Sequence, residues 1–445
     1  MADYGEACEV NGESKKTEGL EVEMEVDVAI VGAGMAGLGL AVGLRERGIR
    51  AHVFEKAAAL RSDTATGISV ALNGIHALDG IKPGLSVAMR SVGSDIKSIQ
   101  GYFFNEGKES LVRTTKVEHG QLFVVQWKRA QQILANLIPE DHIHLSHRLL
   151  MYEPVGDWIE ALFDVKSESS IAFSGLKLVR AKLLVGADGI WSAVRKKMVG
   201  DEPRDLQLVN WNALIYNPES KFIKAHEKDQ IVHMGELDSP TKAYLVDAGE
   251  GYTFWVFRVE DHNEDGSEGG FCKDGAKDRA LQKLANFEPS ECWNTLISTI
   301  QATAPDLIFE RRIRDRLPLE SWTDATGRVL LIGDAAHAMY WGPGEGARTA
   351  FEDAHQLSEL LKDAFGSEGV TKIVEAIKMF EQVRIPRLRK FQDFAAEITN
   401  IPSLKPAWVK ELPADEAKKR FEEFGKWARS YPAKMAGDPD SKYWK

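Results

Sequence analysis

Cysteine is scarce in this chain. The three present, Cys8, Cys272 and Cys292, are odd in number and widely spaced. They make neither a disulfide framework nor a metal-ligand spacing, which points to a reducing compartment. No zinc spacing, carboxylate pair or nucleophile elbow stands out either, so no metal is expected and any demanding chemistry must come from a cofactor. Long apolar runs are also missing. The longest, Val28 to Leu44, is interrupted by glycines and closed by Arg45, which excludes a membrane-spanning helix there. The first residues lack the apolar core of a signal peptide and the arginines of a transit peptide, so the expected location is cytoplasmic. Basic residues are outnumbered: 56 Lys and Arg against 67 Asp and Glu leave a net charge of −11. Nucleic acid is therefore not an expected partner, because neutralising its phosphates takes clustered cations.

What is present is an ordinary globular composition, 44% hydrophobic over 445 residues, enough for two or three domains. Residues 1–25 read as a disordered acidic arm. VDVAIV (Val26 to Val31) has the continuous β-branched texture of a buried parallel strand. GAGMAG (Gly32 to Gly37) follows it at once, Leu38 to Arg47 reads as a helix ended by Gly48, and Arg50 to Phe54 reads as a second strand. The same pattern returns at Lys182 to Val185 before GADGIWSAVR, and at Arg328 to Ile332 before GDAAHAM. Between them the texture changes to alternating, aromatic-rich segments (VNWNALIY, QIVHMGE, KAYLVD, YTFWVFRV), which suit an antiparallel sheet with one covered face. Asp261 to Gly270 is a polar loop. The fold class is thus α/β: a discontinuous Rossmann-like domain (26–205 and 325–400), an inserted, mostly antiparallel β domain (206–324) and a C-terminal helical tail (401–445). Phe421, Phe424 and Trp427 form an apolar stripe on that tail, expected to pack on its own domain.

The first motif has a specific chemical logic. A dinucleotide pyrophosphate must be held without bulky side chains. Gly32 allows a tight turn, Gly34 allows close approach of the backbone, and Gly37 allows the helix to pack on the strand. Ala33, Met35 and Ala36 complete the turn, and the helix start adds free N–H groups and partial positive charge. Glu55, with Lys56 beside it, ends the second strand 21 residues after Gly34, where a carboxylate can accept both hydroxyl hydrogens of the adenosine ribose. The motif alone fits NAD and FAD equally.

The later motifs separate the two. GAGMAG, LLVGADGIWSAVR, DRLPLESWTDATGRVLLIGDAAHAM, GPGEGARTAFEDA and FEQVRIPR together resemble the group A flavoprotein monooxygenases, the fold family of para-hydroxybenzoate hydroxylase. The resemblance spans most of Val26 to Arg387. It implies FAD as cofactor, with Gly333 and Asp334 at the ribityl chain and Gly344, Gly346 and Ala347 at the pyrimidine end of the flavin. It places Asp188 in a segment serving both FAD and the nicotinamide cofactor, Gly67 and Ile68 at a second FAD contact, and Arg195 in support of the Asp188 loop. His337 takes a hydrogen-bonding rather than a catalytic part. Two places depart from the family. Where relatives carry Arg at a helix start, this chain reads VVQWKRAQQIL, so Trp127 takes that place and Arg129 is the nearest candidate. Where relatives carry Pro after GDAAH, this chain has Trp341, with Pro343 later.

In the inserted sheet, Asn210-Trp211-Asn212 resembles the form seen in FAD-dependent urate hydroxylases. The strand after HMGELDSP brings Tyr244, which could orient or deprotonate a substrate. Asn212, Tyr244, Trp255, Trp341 and Pro343 are the candidate substrate pocket, and Phe257 and Tyr340 could add to it. By the resemblance, NAD(P)H would reduce the flavin as a transient co-substrate, O2 would add to give a hydroperoxide, and oxygen would pass to a small aromatic or other electron-rich substrate. A monomer or homodimer is expected. The alternatives are a reductase or oxidase of the same fold that transfers no oxygen and, more remotely, a non-enzymatic lipid-cargo escort of the GDI type.

Overall fold

The computed structural model describes residues 20–60, 66–105, 108–166, 173–217, 229–236, 239–262, 274–340, 342, 344–365, 370–401 and 404–431. The expected acidic arm as far as residue 19, and the polar loop from 263, lie outside them. The strands Ala51–Phe54, Val22–Val31, Phe173–Gly186 and Val329–Leu331 run parallel and side by side. Their ends are level: Phe54 pairs with Val31, Val31 with Gly186, and Gly186 with Leu331. These ends are short β-branched and leucine runs buried on both faces, as a helix-covered parallel sheet requires. Small residues bring the helices close. The helix Met35–Glu46 lies along Gly346–Leu360, and a Cβ placed on Gly43 would come 2.6 Å from Ser358 Oγ.

The first strand starts earlier than the sequence led us to expect. Val22 to Glu25, assigned to the disordered arm, pair with Leu178 to Arg180. Val22 and Met24 are half-buried while Glu23 and Glu25 are exposed. The glutamates are the solvent side of a strand, and their charge masked its alternation.

The second sheet has the order Phe309–Asp315, Arg204–Tyr216, Tyr252–Glu260, Lys242–Asp247, Gln230–Glu236, Ser98–Asn105, Lys108–Lys116. Its last two strands come from the segment assigned to the first domain, and Arg204–Tyr216 begins two residues before the expected boundary. Periodicity reports that a segment is a strand, but not which distant strand completes its hydrogen bonds. Pairing alternates two faces along this sheet. The outer face buries Trp211, Met234, Trp255 and Phe257 beneath the helices Ala276–Leu284 and Glu291–Ala302. The inner face carries Asn210, Asn212, Tyr244 and Arg258. A small sheet of Gly67–Ala71, Leu122–Gln126 and Ser94–Asp95 docks this second sheet on the first unit, through Ala71 and Val124 against Ile231, Val246 and Phe254.

At the C-terminus the helices Thr371–Glu397 and Ala414–Arg429 pack together through the expected stripe, with the Phe394 and Phe424 rings stacked at 3.5 Å. Among the described residues no helix is long and apolar enough to cross a membrane.

Histidines gather at the far edge of the parallel sheet. His52 Nδ1 and His144 Nε2 lie 2.9 Å apart, and the His52 and His142 rings stack at 4.1 Å. Burial first, and then the neighbouring imidazoles, push His52 and His144 down to about 4. A histidine depressed in the folded state stabilises fully above its unfolded value near 6.5, and that contribution drains away as pH falls toward about 4. Urea unfolding midpoints should therefore fall across that window, and a His52→Leu/His144→Leu variant should lose part of the slope. Equal slopes in both proteins would show that these imidazoles are not titrating on unfolding.

Candidate functional site

The level strand ends bring the sequence motifs to one edge. Gly32 leaves the first strand with φ +106° and a Cβ there would lie 2.5 Å from Ala187 O, so only glycine fits between the two motif loops. A Cβ on Gly37 would lie 2.0 Å from Gly32 O. Gly34 differs: a Cβ there would meet nothing within 4 Å. The turn is thus tight against protein on one side and open on the other, the shape that lets a ligand approach backbone N–H groups. Glu55 Oε2 accepts from Ala33 N at 2.9 Å and Oε1 from Ala57 N at 3.0 Å, which places its carboxylate at the rim of the turn, with Lys56 exposed beside it.

Asp188 follows the third parallel strand. Its Oδ2 accepts from Ala193 N at 2.7 Å and Val194 N at 3.3 Å, capping a short helix. Its Oδ1 is buried with no hydrogen-bond partner among the described residues, and burial raises its pKa above the ordinary carboxylate value. Arg195 joins this loop to the next one. It is fully buried, donates to Ala335 O at 3.1 Å, Ala336 O at 2.8 Å and Leu317 O at 3.1 Å, and pairs with Asp201 at 2.6 Å.

Asp334 lies one position beyond Gly333, which turns with φ +59°. Its side chain is accessible to solvent, although protein atoms crowd the carboxyl. The desolvation raises its carboxyl above the ordinary range, against the opposing charges of His337 and Arg311. A Cβ on Gly346 would lie 3.8 Å from Asp334 Oδ1, so the start of the helix Gly346–Leu360 faces this carboxylate, with Ala347 beside it. Gly344 turns with φ +71° against Ser69 of the strand that carries Gly67 and Ile68.

Holding these loops is a buried ion network. Asp353 Oδ2 accepts from Gly333 N at 2.9 Å and from His337 Nε2 at 2.7 Å. Arg384 Nε meets Asp353 Oδ1 at 2.8 Å, and Arg384 and Arg387 share Glu352 at 2.5 and 2.6 Å. Burial alone would lift both carboxyls, but His337 and Arg384 hold Asp353, and the two arginines hold Glu352, below their ordinary values. FEQVRIPR was visible in the sequence only as a motif; its function as the cationic half of this network was not.

Across the space above Asp334 stands the inner face of the inserted sheet. Asn210 Nδ2 donates to Asn212 Oδ1 at 3.0 Å, both residues buried. Tyr244 meets His233 edge-on, with centroids 4.7 Å apart. The Arg258 guanidinium lies 5.0 Å from the centroid of Tyr340, whose hydroxyl burial pushes up to about 12. Asn212 and Tyr244 thus share the inner face, with Tyr340 packed against it through Arg258. Trp255 does not. It is fully buried on the outer face, with its Nε1 donating to Thr303 Oγ1 at 3.0 Å. Trp255 and Phe257, being odd-numbered on this strand, fall opposite Asn212 and Tyr244, and the pocket reading of both is corrected. Trp341 and Pro343 lie outside the described residues.

Arg129 is also displaced from its expected place. It pairs with Glu250, in the turn between the strands Lys242–Asp247 and Tyr252–Glu260, at 2.8 and 3.0 Å. The contact to the glycine turn comes instead from Gln131, buried, with Nε2 donating to Ala33 O at 2.7 Å. Gln131 is two residues from Arg129, about 200° round the helix, and which face meets the turn is not readable from sequence.

An open glycine turn, a buried carboxylate oxygen in want of a donor and a crowded but accessible aspartate lie in a row. They fit a dinucleotide with its diphosphate at Gly34 and a hydroxyl-rich chain at Asp334. Comparison with known proteins agrees. Residues 25–394 match the family model described as FAD binding domain. The chain is 28% identical over 395 residues to the aurachin C monooxygenase/isomerase of Stigmatella aurantiaca, covering 86% of this chain and 92% of that protein. It is 27% identical over 372 residues to the 3-amino-4-hydroxybenzoate 2-monooxygenase of Streptomyces cremeus, covering 82% and 85%. Among solved structures, Klebsiella pneumoniae HpxO complexed with FAD and uric acid superposes with a TM-score of 0.70 at 21% identity, over 91% of this chain and 96% of that one, a likeness of fold. Because the family match runs through every motif that meets at this edge, the chain belongs to the FAD binding domain family, among the group A flavin monooxygenases of para-hydroxybenzoate hydroxylase type.

Proposed function

We propose that the protein uses NAD(P)H and O2 to oxygenate a small, polar aromatic substrate held between Asp334 and the inner face of the inserted sheet. The observation that carries this reading is the set of polar groups on the inner face: Asn210, Asn212, Tyr244 and Arg258 stand there beside the apolar Val256. Bound at that edge, FAD supplies hydride acceptance and the activation of O2. The chain's own residues bind and orient. Gly34, Met35 and Ala36 present backbone to the diphosphate, Glu55 accepts from the adenosine ribose, and Asp334 accepts from the ribityl hydroxyls. Gly344, Gly346 and Ala347 bring a helix start to the pyrimidine edge, where its partial positive charge stabilises negative charge. The side-chain amides of Asn210 and Asn212 and the phenol of Tyr244 offer directional hydrogen bonds to hydroxyl, amino or ring-nitrogen groups of a flat substrate. Tyr244 is placed to orient a substrate hydroxyl or take its proton. The names of two relatives are consistent with that class, one acting on an aminohydroxybenzoate and the other solved with uric acid.

The test is a screen of hydroxy- and amino-aromatic acids, hydroxypyridines and oxopurines for accelerated flavin reduction by NADH or NADPH. The expected result is substrate-dependent O2 uptake and a product heavier by one oxygen atom. Purified protein that neither carries nor takes up FAD, or NAD(P)H oxidation that never yields an oxygenated product, would end the proposal. Tyr244→Phe should leave FAD content unchanged and lower kcat by about 10²-fold with a substrate that must be deprotonated. An unchanged kcat would return Tyr244 to a packing role.

Asp334→Asn should act in two directions at once. A carboxyl raised in the folded state destabilises once ionised, so stability is lost as pH rises through its folded value. The FAD-free Asn variant should therefore melt slightly higher than the parent at pH 7, an advantage that vanishes in acid. The same variant should bind FAD more weakly at pH 7, because an amide accepts fewer ribityl hydrogen bonds than a carboxylate. A lower melting temperature with unchanged FAD affinity would remove Asp334 from the cofactor site.

A further inference from the structure

The family match ends at residue 394, but the structure continues into the helix Ala414–Arg429 and on to Tyr431. Residues of this last segment surround Arg387. Its guanidinium lies 4.8 Å from the Trp427 ring centroid and 5.4 Å from that of Tyr431, and it donates to Ala428 O at 3.1 Å. Phe391 of its own helix closes a further side at 5.1 Å. Tyr431 is buried, and its hydroxyl lies 3.0 Å from His355 Nδ1. Arg387 also donates to Glu352, at 2.6 Å to Oε2 and 2.7 Å to Oε1.

From Glu352 the network runs toward the flavin half of the site. Arg384 connects Glu352 to Asp353, which holds Gly333 N and His337. Asn73 connects Glu352 Oε1, at 3.1 Å, to Glu345 Oε2, at 3.0 Å, and Glu345 is the residue before the helix start at Gly346. Both loops assigned to the flavin half, Gly333–Asp334 and Gly344–Ala347, are therefore ordered from one carboxylate. The adenosine half is held separately, by Glu55 and Gln131 on Ala33.

We propose that Trp427 and Tyr431 are positioning residues for FAD: by walling in Arg387 they fix Glu352, and through it the two loops that meet the flavin half, while leaving the adenosine half untouched. The inference rests on the FAD placement proposed above. Its physical basis is desolvation. Arginine–carboxylate pairs hold one geometry when water is excluded, and the aromatic faces both exclude water and attract the guanidinium. Remove a wall and water enters, the Arg387–Glu352 geometry relaxes, and the loops lose their preorganisation.

The experiment compares FAD and ADP binding to the FAD-free full-length chain, by flavin fluorescence quenching and by calorimetry. ADP presents only the half held at the glycine turn. Trp427→Met and Tyr431→Leu should each raise the FAD Kd about tenfold, as expected when a desolvated cation–π wall is lost, and leave the ADP Kd within about twofold of the parent. Trp427→Phe, which keeps a ring over the guanidinium, should restore most of the FAD affinity. Should Tyr431→Leu not fold, Trp427→Met carries the test alone, since Trp427 is only half-buried and the hydrogen bonds of Arg387 do not involve its side chain. Unchanged binding of both ligands overturns the proposal, as does an equal loss of both, which would mean general loosening. A parent protein that binds ADP but not FAD would overturn this inference together with the FAD placement, whereas normal FAD binding in parent and variants alike would overturn this inference only.

Discussion

The structure depends on two adjacent buried carboxylates, Glu352 and Asp353. Neighbours on a helix point about 100° apart, so the two share Arg384 but otherwise reach different partners. Asp353 turns to Gly333 and His337; Glu352 turns to Arg387 and the C-terminal segment. Arg384 and Arg387, three apart on the facing helix, share a face and answer both. Two carboxylates and two guanidiniums balance there, all of them buried. Removing one partner from such a set leaves a buried charge uncompensated, at a cost of about 3–5 kcal/mol. The same arrangement secures a backbone N–H in a glycine turn with positive φ, and so gives a strained loop a single conformation.

A second constraint is topological. The strands Phe173–Gly186 and Val329–Leu331 are neighbours in the parallel sheet, yet residues 187–328 separate them in sequence. Parallel neighbours need a crossover, so the chain leaves at the carboxyl edge after Gly186 and must return to enter the next strand from its amino end at Val329. The excursion thus starts at the edge where ligands bind in open α/β sheets. The hairpin Ser98–Asn105/Lys108–Lys116 extends the inserted sheet, and the small three-stranded sheet fastens it down through apolar contacts at Val124, Val246 and Phe254.

Outer and inner faces of the inserted sheet then diverge in chemistry. Tryptophan and phenylalanine side chains fill the outer face, because two helices cover it. The inner face is apolar where the small sheet covers it, at Val246 and Phe254, and carries amides, a phenol and a guanidinium beyond that contact. Arg258 illustrates the difference. Nearly all of its surface is buried, but its charge rests against a tyrosine ring and Pro240 O, at 3.2 Å, in a part of the molecule where polar groups have a use.

The sequence by itself determined the parallel-sheet class, the edge at which Gly34, Glu55, Asp188 and Asp334 would meet, and the cofactor family. Those features are local: a glycine needs its turn, and a strand end needs its loop, whatever lies elsewhere. Tertiary structure alone decided the rest. It placed Trp255 and Phe257 outside the pocket, because one residue of register selects the face of a strand. It gave the glycine turn to Gln131 and sent Arg129 to Glu250, because helix phase is set by what the helix packs against. It turned Glu23 and Glu25 from a solvated arm into the wet side of a strand. It also joined residues 73, 352, 384, 387, 427 and 431 into one network, since buried charges find partners by proximity in space, and sequence separation carries no record of that distance.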